Sequence, residues 1–393
     1  MSEKNAPFSP ELTAALKRCD VLVGKDTLEY YYNLYDPATG GFYYSISSRD
    51  AERMTPFAEG TRFVLESLLD GGLTLPDWYK EKVSAWILPH QDPADGYFYE
   101  DLWGKNTAGP RKDRDLTYSA DILTRMCGVQ PLYPLPQERI RSKSGDASLP
   151  EYLAGEREMR AYLDGLDWSV KSIWSTGQKL SSAVSLITAA GLYDFVHEYV
   201  KAKQNPDTGL WGEGLGWMNT NGAMKLSAFF RDPAHPYPRM ETMIESVLNI
   251  YQGDVPPTSA TWIWNPFVAL NNALHSMGEN AGAMREKLLR KGADIVNAAI
   301  DNAMLLKRAD GGFASSIHRA TPTQQGYLFG YGLADESDMD GTVIAGQRLR
   351  ATIHSVFGAS CTHDYYREYE EDFWQRLRTK PPVTKTLPPP VKK

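Results

Sequence analysis

The sequence has little of what marks several common classes of protein. It holds only three cysteines, Cys19, Cys127 and Cys361, an odd number set far apart. That pattern excludes a disulfide framework and a paired-cysteine zinc site, and it suits buried, reduced thiols in a reducing compartment. No run of eighteen apolar residues occurs, and Met1–Pro10 lacks the basic-then-apolar layout of a secretory signal, so a membrane span is not expected and a cytoplasmic location is. Basic residues are not in excess: 42 against 49 acidic ones give a net charge of −7, which leaves no electrostatic footprint for nucleic acid or an anionic membrane. Phosphate-cradling loops, dinucleotide fingerprints, paired-histidine zinc helices and nucleophile elbows are missing, so no cofactor and no metal is expected. Period-two alternation is scarce as well, which argues against sheets.

What is present is a globular composition, 42% hydrophobic and 11% aromatic, with an internal repeat. Four segments share a polar turn, a glycine and an aromatic two places on: Asp36 to Phe42, Asp92 to Phe98, Asn205 to Trp211 and Arg308 to Phe313. Asp and Asn side chains bond the turn's backbone N–H groups, glycine supplies a positive φ, and the ring docks on a neighbouring helix. The glycines at 40, 96, 209 and 311 are spaced by one, two and two units of roughly 54 residues. Six units therefore fit, with degenerate loops expected near 150, in Pro134 to Pro150, and near 258. Each unit is long enough for two helices. Segments following the loops, Thr61 to Leu69, Thr117 to Met126, Leu180 to Ala190, Ala223 to Phe230, Phe267 to Met277 and Thr342 to Phe357, read as inner helices. Pro76 to Leu88, Glu241 to Tyr251 and Gly278 to Leu305 read as outer ones. The expected fold is all-α, an (α/α)6 toroid of about twelve helices in one domain over 10–378, with a flexible N-terminus (1–9) and a disordered Pro/Lys-rich tail (379–393).

Gln91 with Gly96 and Phe98, and Gln204 with Gly209 and Trp211, resemble the glutamine–tryptophan repeats of the terpenoid cyclase and protein prenyltransferase toroids. Asp36 to Phe42 is similar to the first loop of the sugar 2-epimerase toroids. Asp338-Met339-Asp340-Gly341-Thr342 resembles the D-x-D-D-T-A acid motif of class II terpene cyclases, with Gly341 where that family has its third aspartate. That resemblance implies a prenyl-cyclising isomerase as an alternative function. Cys361 and His363 do not reproduce the zinc set of the prenyltransferases.

In a toroid, residues at the starts of the inner helices line the mouth of a central cavity. Glu59, Asp115, Asn221, Asn265 and Asp340 occupy equivalent positions there, either as helix caps or as a ring of groups facing a ligand. Asp340 stands in the cluster Asp335, Glu336, Asp338, Asp340, where repulsion and burial would raise at least one carboxyl's pKa and make it a general acid; a solvated acidic loop is the simpler alternative. Asp340, Asp338, Glu59, Asp115 and His318 are thus the candidate catalytic residues. Asn221, Asn265, Arg319, Gln325, Tyr327, Trp211, Trp217 and Trp262 are the candidate substrate contacts, although each aromatic could equally be a packing anchor. A donor–acceptor ring suits hydroxyls. The expected function is a carbohydrate-active enzyme working on an oligosaccharide or uronate-containing glycan by acid–base chemistry, by hydrolysis or elimination. A sugar epimerase and a non-catalytic binding toroid remain as alternatives, and the oligomeric state is left open.

Overall fold

The computed structural model describes residues 8–107, 109–142, 150–324, 326–361 and 363–391. Helices dominate it. The first third contains α1 (Pro10–Arg18), α2 (Lys25–Leu34), α3 (Ile46–Asp50), α4 (Ala58–Asp70), α5 (Asp77–Ile87), α6 (Gly109–Asp121) and α7 (Pro136–Ser142). The middle contains α8 (Glu156–Asp164), α9 (Ile173–Ser182), α10 (Val184–Ala189), α11 (Tyr193–Ala202), α12 (Trp217–Leu226), α13 (Met240–Gln252) and α14 (Ala260–Ser276). The rest holds α15 (Gly282–Leu289), α16 (Gly292–Met304), α17 (Met339–Val343), α18 (Leu349–Phe357) and α19 (Glu370–Thr379). A π-helical segment, Ile344–Arg348, joins α17 to α18. The one sheet among the described residues is a small antiparallel hairpin, β1 (Thr323–Gln324) with β2 (Tyr327–Leu328), pairing Thr323 with Leu328 and Gln324 with Tyr327. Among these residues no helix is long and apolar enough to cross a membrane.

The four similar segments fold alike. In each, the residue opening the turn exchanges two backbone bonds with the far side: Asp36 N–H to Gly41 O and Gly40 N–H to Asp36 O, then the same for Asp92, Asn205 and Arg308. The shared glycines have φ between 64° and 96°, the left-handed region that a side chain would penalise. One ladder pair closes each loop: Tyr35 with Phe42, Gln91 with Phe98, Gln204 with Trp211, Lys307 with Phe313. The aromatics following the glycines, Phe42, Phe98, Trp211 and Phe313, are all buried. Gln91 and Gln204 perform one task in two copies. Gln91 Nε2 donates to Gly96 O (3.2 Å) and Tyr133 O (2.8 Å), and Gln204 Nε2 to Gly209 O (2.7 Å) and Pro238 O (2.8 Å). Each glutamine therefore ties its turn to the segment entering the next unit.

Contacts among the more buried helices run from α4 to α6, α6 to α9, α9 to α12, α12 to α14, α14 to α18, and from α17 back to α4. Apolar side chains fill the spaces between helices in two clusters, one built mainly from residues 12–22 and 153–357 and one from 28–135 with the C-terminal segment. The third loop, expected within Pro134 to Pro150, lies partly outside the described residues. Two details differ from the sequence reading. The inner helix expected over Leu180 to Ala190 begins at Ile173 and breaks after Ser182. The Pro/Lys tail, expected to be without structure, is bonded to the first unit between Lys380 and Leu387. Lys380 Nζ donates to the carbonyls of Tyr32, Asn33 and Tyr35, Lys385 Nζ donates to those of Arg49 and Met54, and Glu52 N–H donates to Leu387 O. A lysine can cap several orphaned carbonyls at once, a role that composition does not reveal.

Candidate active site

Residues of α4, α6, α9, α12, α14 and α17–α18 line two adjoining chambers of mixed polar and apolar character. The first, of about 400 Å³, lies toward the helix starts and the 315–324 segment, and its wall includes Phe63, Arg114, Tyr118, Trp174, Gln178, Lys225, Asn265 and Asp340. The second, of about 640 Å³, lies toward the opposite helix ends, by Asp70, Ser182, Asn272 and Thr352. Arg114, Tyr118, Met224, Lys225, Trp264 and Arg348 line both, so they form the layer where the chambers meet.

Two titratable groups in the first chamber are held far from their ordinary behaviour. Lys225, half-buried on α12, has its pKa pulled down to about 7, first by loss of solvation and then by the Arg114 and Arg348 charges, with the Asp340 carboxylate opposing. Its placement depends on Gly177 of α9: a Cβ there would stand 2.6 Å from the Lys225 Cβ, so only glycine lets α9 approach α12 this closely. Asp340, the second residue of α17, has its pKa pushed up to about 6, first by loss of solvation and then by the neighbouring Asp338 charge, with Arg114 and Arg348 opposing. Arg348 comes from the π-helical segment, stacks on Phe63 with its guanidinium carbon 4.1 Å from the ring centre, and forks onto Glu66 at 2.6 and 3.1 Å.

Neutral groups complete the wall. Asn265 Nδ2 donates to Asn221 Oδ1 at 2.8 Å, which leaves the buried Asn265 Oδ1 without a hydrogen-bond partner; Gln178 Nε2 donates to Ser182 Oγ at 2.6 Å, leaving its Oε1 likewise unpartnered. Buried acceptors left open in this way match the hydroxyl donors of a polyol. The 315–324 segment covers one side, contributing Ser315, Ser316, Thr321, Thr323 and Gln324.

Of the residues singled out from sequence, Asp340 and Asn265 line the chamber, and Asn221 stands directly behind Asn265. Glu59 and Asp115 do not line it, nor do they cap helices. They lie within α4 and α6, fully buried around Arg111, which meets Glu59 at 2.6 Å and Asp115 at 2.7 Å, while Trp103 Nε1 donates to Asp115 at 2.8 Å. Glu59 also pairs with Arg114, so this network fixes a chamber residue from outside. Asp338 is spent on structure: it caps α17 through Gly341 N–H (2.7 Å) and accepts from Ser315 N–H, Ser315 Oγ and Thr321 N–H. Glu336 similarly accepts from Ser47 N–H and Oγ. Of the acidic cluster, Glu336 and Asp338 hold backbone groups, Asp335 is exposed, and Asp340 alone lines the chamber.

His318 and Arg319 are exposed and outside both chambers; Arg319 Nε donates to Gly332 O at 2.7 Å, a loop-holding contact. Tyr327, on β2, packs its ring on Trp103 at 5.2 Å. Trp211 is fully buried with Nε1 donating to Val200 O, an anchor with no face left for a ligand. Trp217 and Trp262 border a separate, more apolar pocket with Leu215 and Val255. Gln325 lies outside the described residues. At Gly341 a Cβ would stand 2.3 Å from the Ala314 carbonyl carbon and 2.4 Å from Ser315 N, so the third aspartate of the terpene cyclase motif has no room here. Among the described residues, no group of three His, Cys, Asp or Glu side chains is placed to hold a metal ion.

Sequence reasoning did not single out Lys225, Tyr118 or Arg348. A signal existed: Arg114 and Tyr118, Trp174 and Gln178, Asn221 and Lys225, Thr261 and Asn265, and Asp340 with Ile344 and Arg348 are spaced by four, one face per inner helix.

No family model matches the chain, and no curated protein does. Among solved structures, a chain named as a polysaccharide lyase is similar with a TM-score of 0.40 and 12% identity, over 78% of this chain and 92% of that one.

Proposed function

We propose that the chain is a carbohydrate-active enzyme acting on a uronate-containing glycan by acid–base chemistry, built as a single (α/α)6 toroid over about 10–378. The closed order of helix contacts, α4 through α18 and back to α4, supports the ring. One observation carries the activity: a chamber lined by Arg114, Lys225 and Arg348 against the single carboxyl Asp340, in a chain of net charge −7. A positive interior in a negative protein selects an anion, and the open acceptors of Asn265 and Gln178 select hydroxyls.

Elimination is the reaction this pair supports best. Between pH 6 and 7 the most populated form has Asp340 ionised and Lys225 protonated. Asp340 then takes the proton from the sugar carbon beside the carboxylate, the electron pair forms the ring double bond, the adjacent C–O bond breaks, and Lys225 gives its proton to the departing oxygen. Arg114 and Arg348 offset the charge that builds on the substrate carboxylate. Inverting hydrolysis needs a second carboxyl roughly 6.5–9.5 Å from the first, and Glu59 and Asp115, the sequence's candidates for it, are committed to Arg111 behind the wall. The test is product analysis over a panel of uronate glycans: ultraviolet absorbance from an unsaturated uronate is expected, and new reducing ends without unsaturation would contradict elimination.

A further inference from the structure

The second chamber is the larger and shares Arg114, Tyr118, Lys225 and Arg348 with the first, but the rest of its wall has no part in the chemistry above. Its wall is unlike a structural void. Arg62, Arg114, Lys225, Arg231 and Arg348 face it against two carboxylates, Glu66 and Asp70, and hydroxyls come from Thr117, Ser181, Ser182, Ser185 and Thr352. Gln347, buried at 5% exposure, donates to Asp70 and leaves its Oε1 without a partner at the chamber wall. An unpaired buried acceptor costs roughly 1–3 kcal/mol unless a ligand or water meets it. The volume falls within the roughly 300–1,000 Å³ range of small-molecule sites.

We propose that this second chamber is a binding subsite for a hexuronate, taking the sugar on the far side of the reacting bond through its carboxylate and hydroxyls. The glycan would then reach across the Arg114–Lys225–Arg348 layer, with one residue in each chamber. The inference rests on the uronate reading of the first chamber for its placement, but its test needs no turnover.

Free glucuronate is titrated calorimetrically into the full chain, with glucose as the neutral control. Ser185, exposed at the chamber rim, is changed in two ways: Ser185→Trp fills the opening and Ser185→Glu places a like charge in it. Asn265→Ala alters the first chamber. Thermal melts establish that each variant is folded, and the two Ser185 variants provide independent readings should one of them misfold. The expected result is glucuronate binding that both Ser185 variants weaken tenfold or more, with glucose at least tenfold weaker. No glucuronate binding, equal binding of glucose, unchanged binding in both Ser185 variants, or loss only in Asn265→Ala would each overturn the subsite. Binding without turnover of any uronate glycan would sink the proposed reaction and leave the subsite standing; turnover without this binding would do the reverse.

Discussion

Lys225 on α12 and Asp340 on α17 face one chamber, and the Asp340 charge partly offsets the burial and the arginines that drive protons off Lys225. Nuclear magnetic resonance titration of the Lys225 side chain is expected to give a midpoint near 7, moving lower still in Asp340→Asn, where the opposing charge is gone. A midpoint near the ordinary lysine value of about 10.4 would contradict the site as described.

Both groups are held against their preference by the fold, so removing either should stabilise the protein. The Asp340 pKa lies above its unfolded value, so the fold disfavours its carboxylate and the cost is fully present above about pH 6. The Lys225 pKa lies below its unfolded value, and the cost of its ammonium is fully present below about pH 7. Asp340→Asn is therefore expected to melt higher than the parent at pH 8, and Lys225→Met to melt higher at pH 6. Lower melting in both would argue that these groups hold the fold together.

Glu59 should behave in the opposite way. Its removal leaves Arg111 buried with one partner fewer and frees Arg114, so Glu59→Ala is expected to cost roughly 3–5 kcal/mol in denaturant unfolding. A loss below 1 kcal/mol would mean that the buried network is not holding α4 to α6.

The repeat loops offer a purely structural control. Gln91→Ala removes bonds to Gly96 O and Tyr133 O together with the acceptor of Tyr133 N–H, at a cost of roughly 1–3 kcal/mol. Turnover by the folded fraction should stay within twofold. A large drop in kcat at full folding would tie this loop to the chemistry.

The repeat was legible in the sequence because turn chemistry is local: an Asp or Asn, a left-handed glycine and a docked ring must lie within seven residues. Helical class and the neighbourhood of Asp340 followed from the same local rules. The rest of the chamber was harder to read for a geometric reason. Aligning the helix starts picked one position per helix, whereas a cavity running along a helix axis is lined by residues four apart, which takes in Lys225 after Asn221 and Arg348 eight places after Asp340. Glu59 and Asp115 sit in the same windows but rotate to the helix–helix seam, where Arg111 awaits them. His318 and Arg319 lie in the long segment that covers the chamber, yet the residues lining it there are Ser315, Ser316, Thr321, Thr323 and Gln324. Which residues of a loop turn inward is decided by its fold rather than by their chemistry.

The pH dependence of kcat/KM on a uronate glycan, in the parent and in Asp340→Asn and Lys225→Met, tests the central claim most directly. The parent should show a bell, rising as Asp340 ionises through about 6 and falling as Lys225 loses its proton through about 7. Each variant should lose ~10²-fold or more, Asp340→Asn without the acid limb and Lys225→Met without the alkaline one. Full activity in either variant, or a bell unchanged by both, would contradict an acid–base pair made of these two residues.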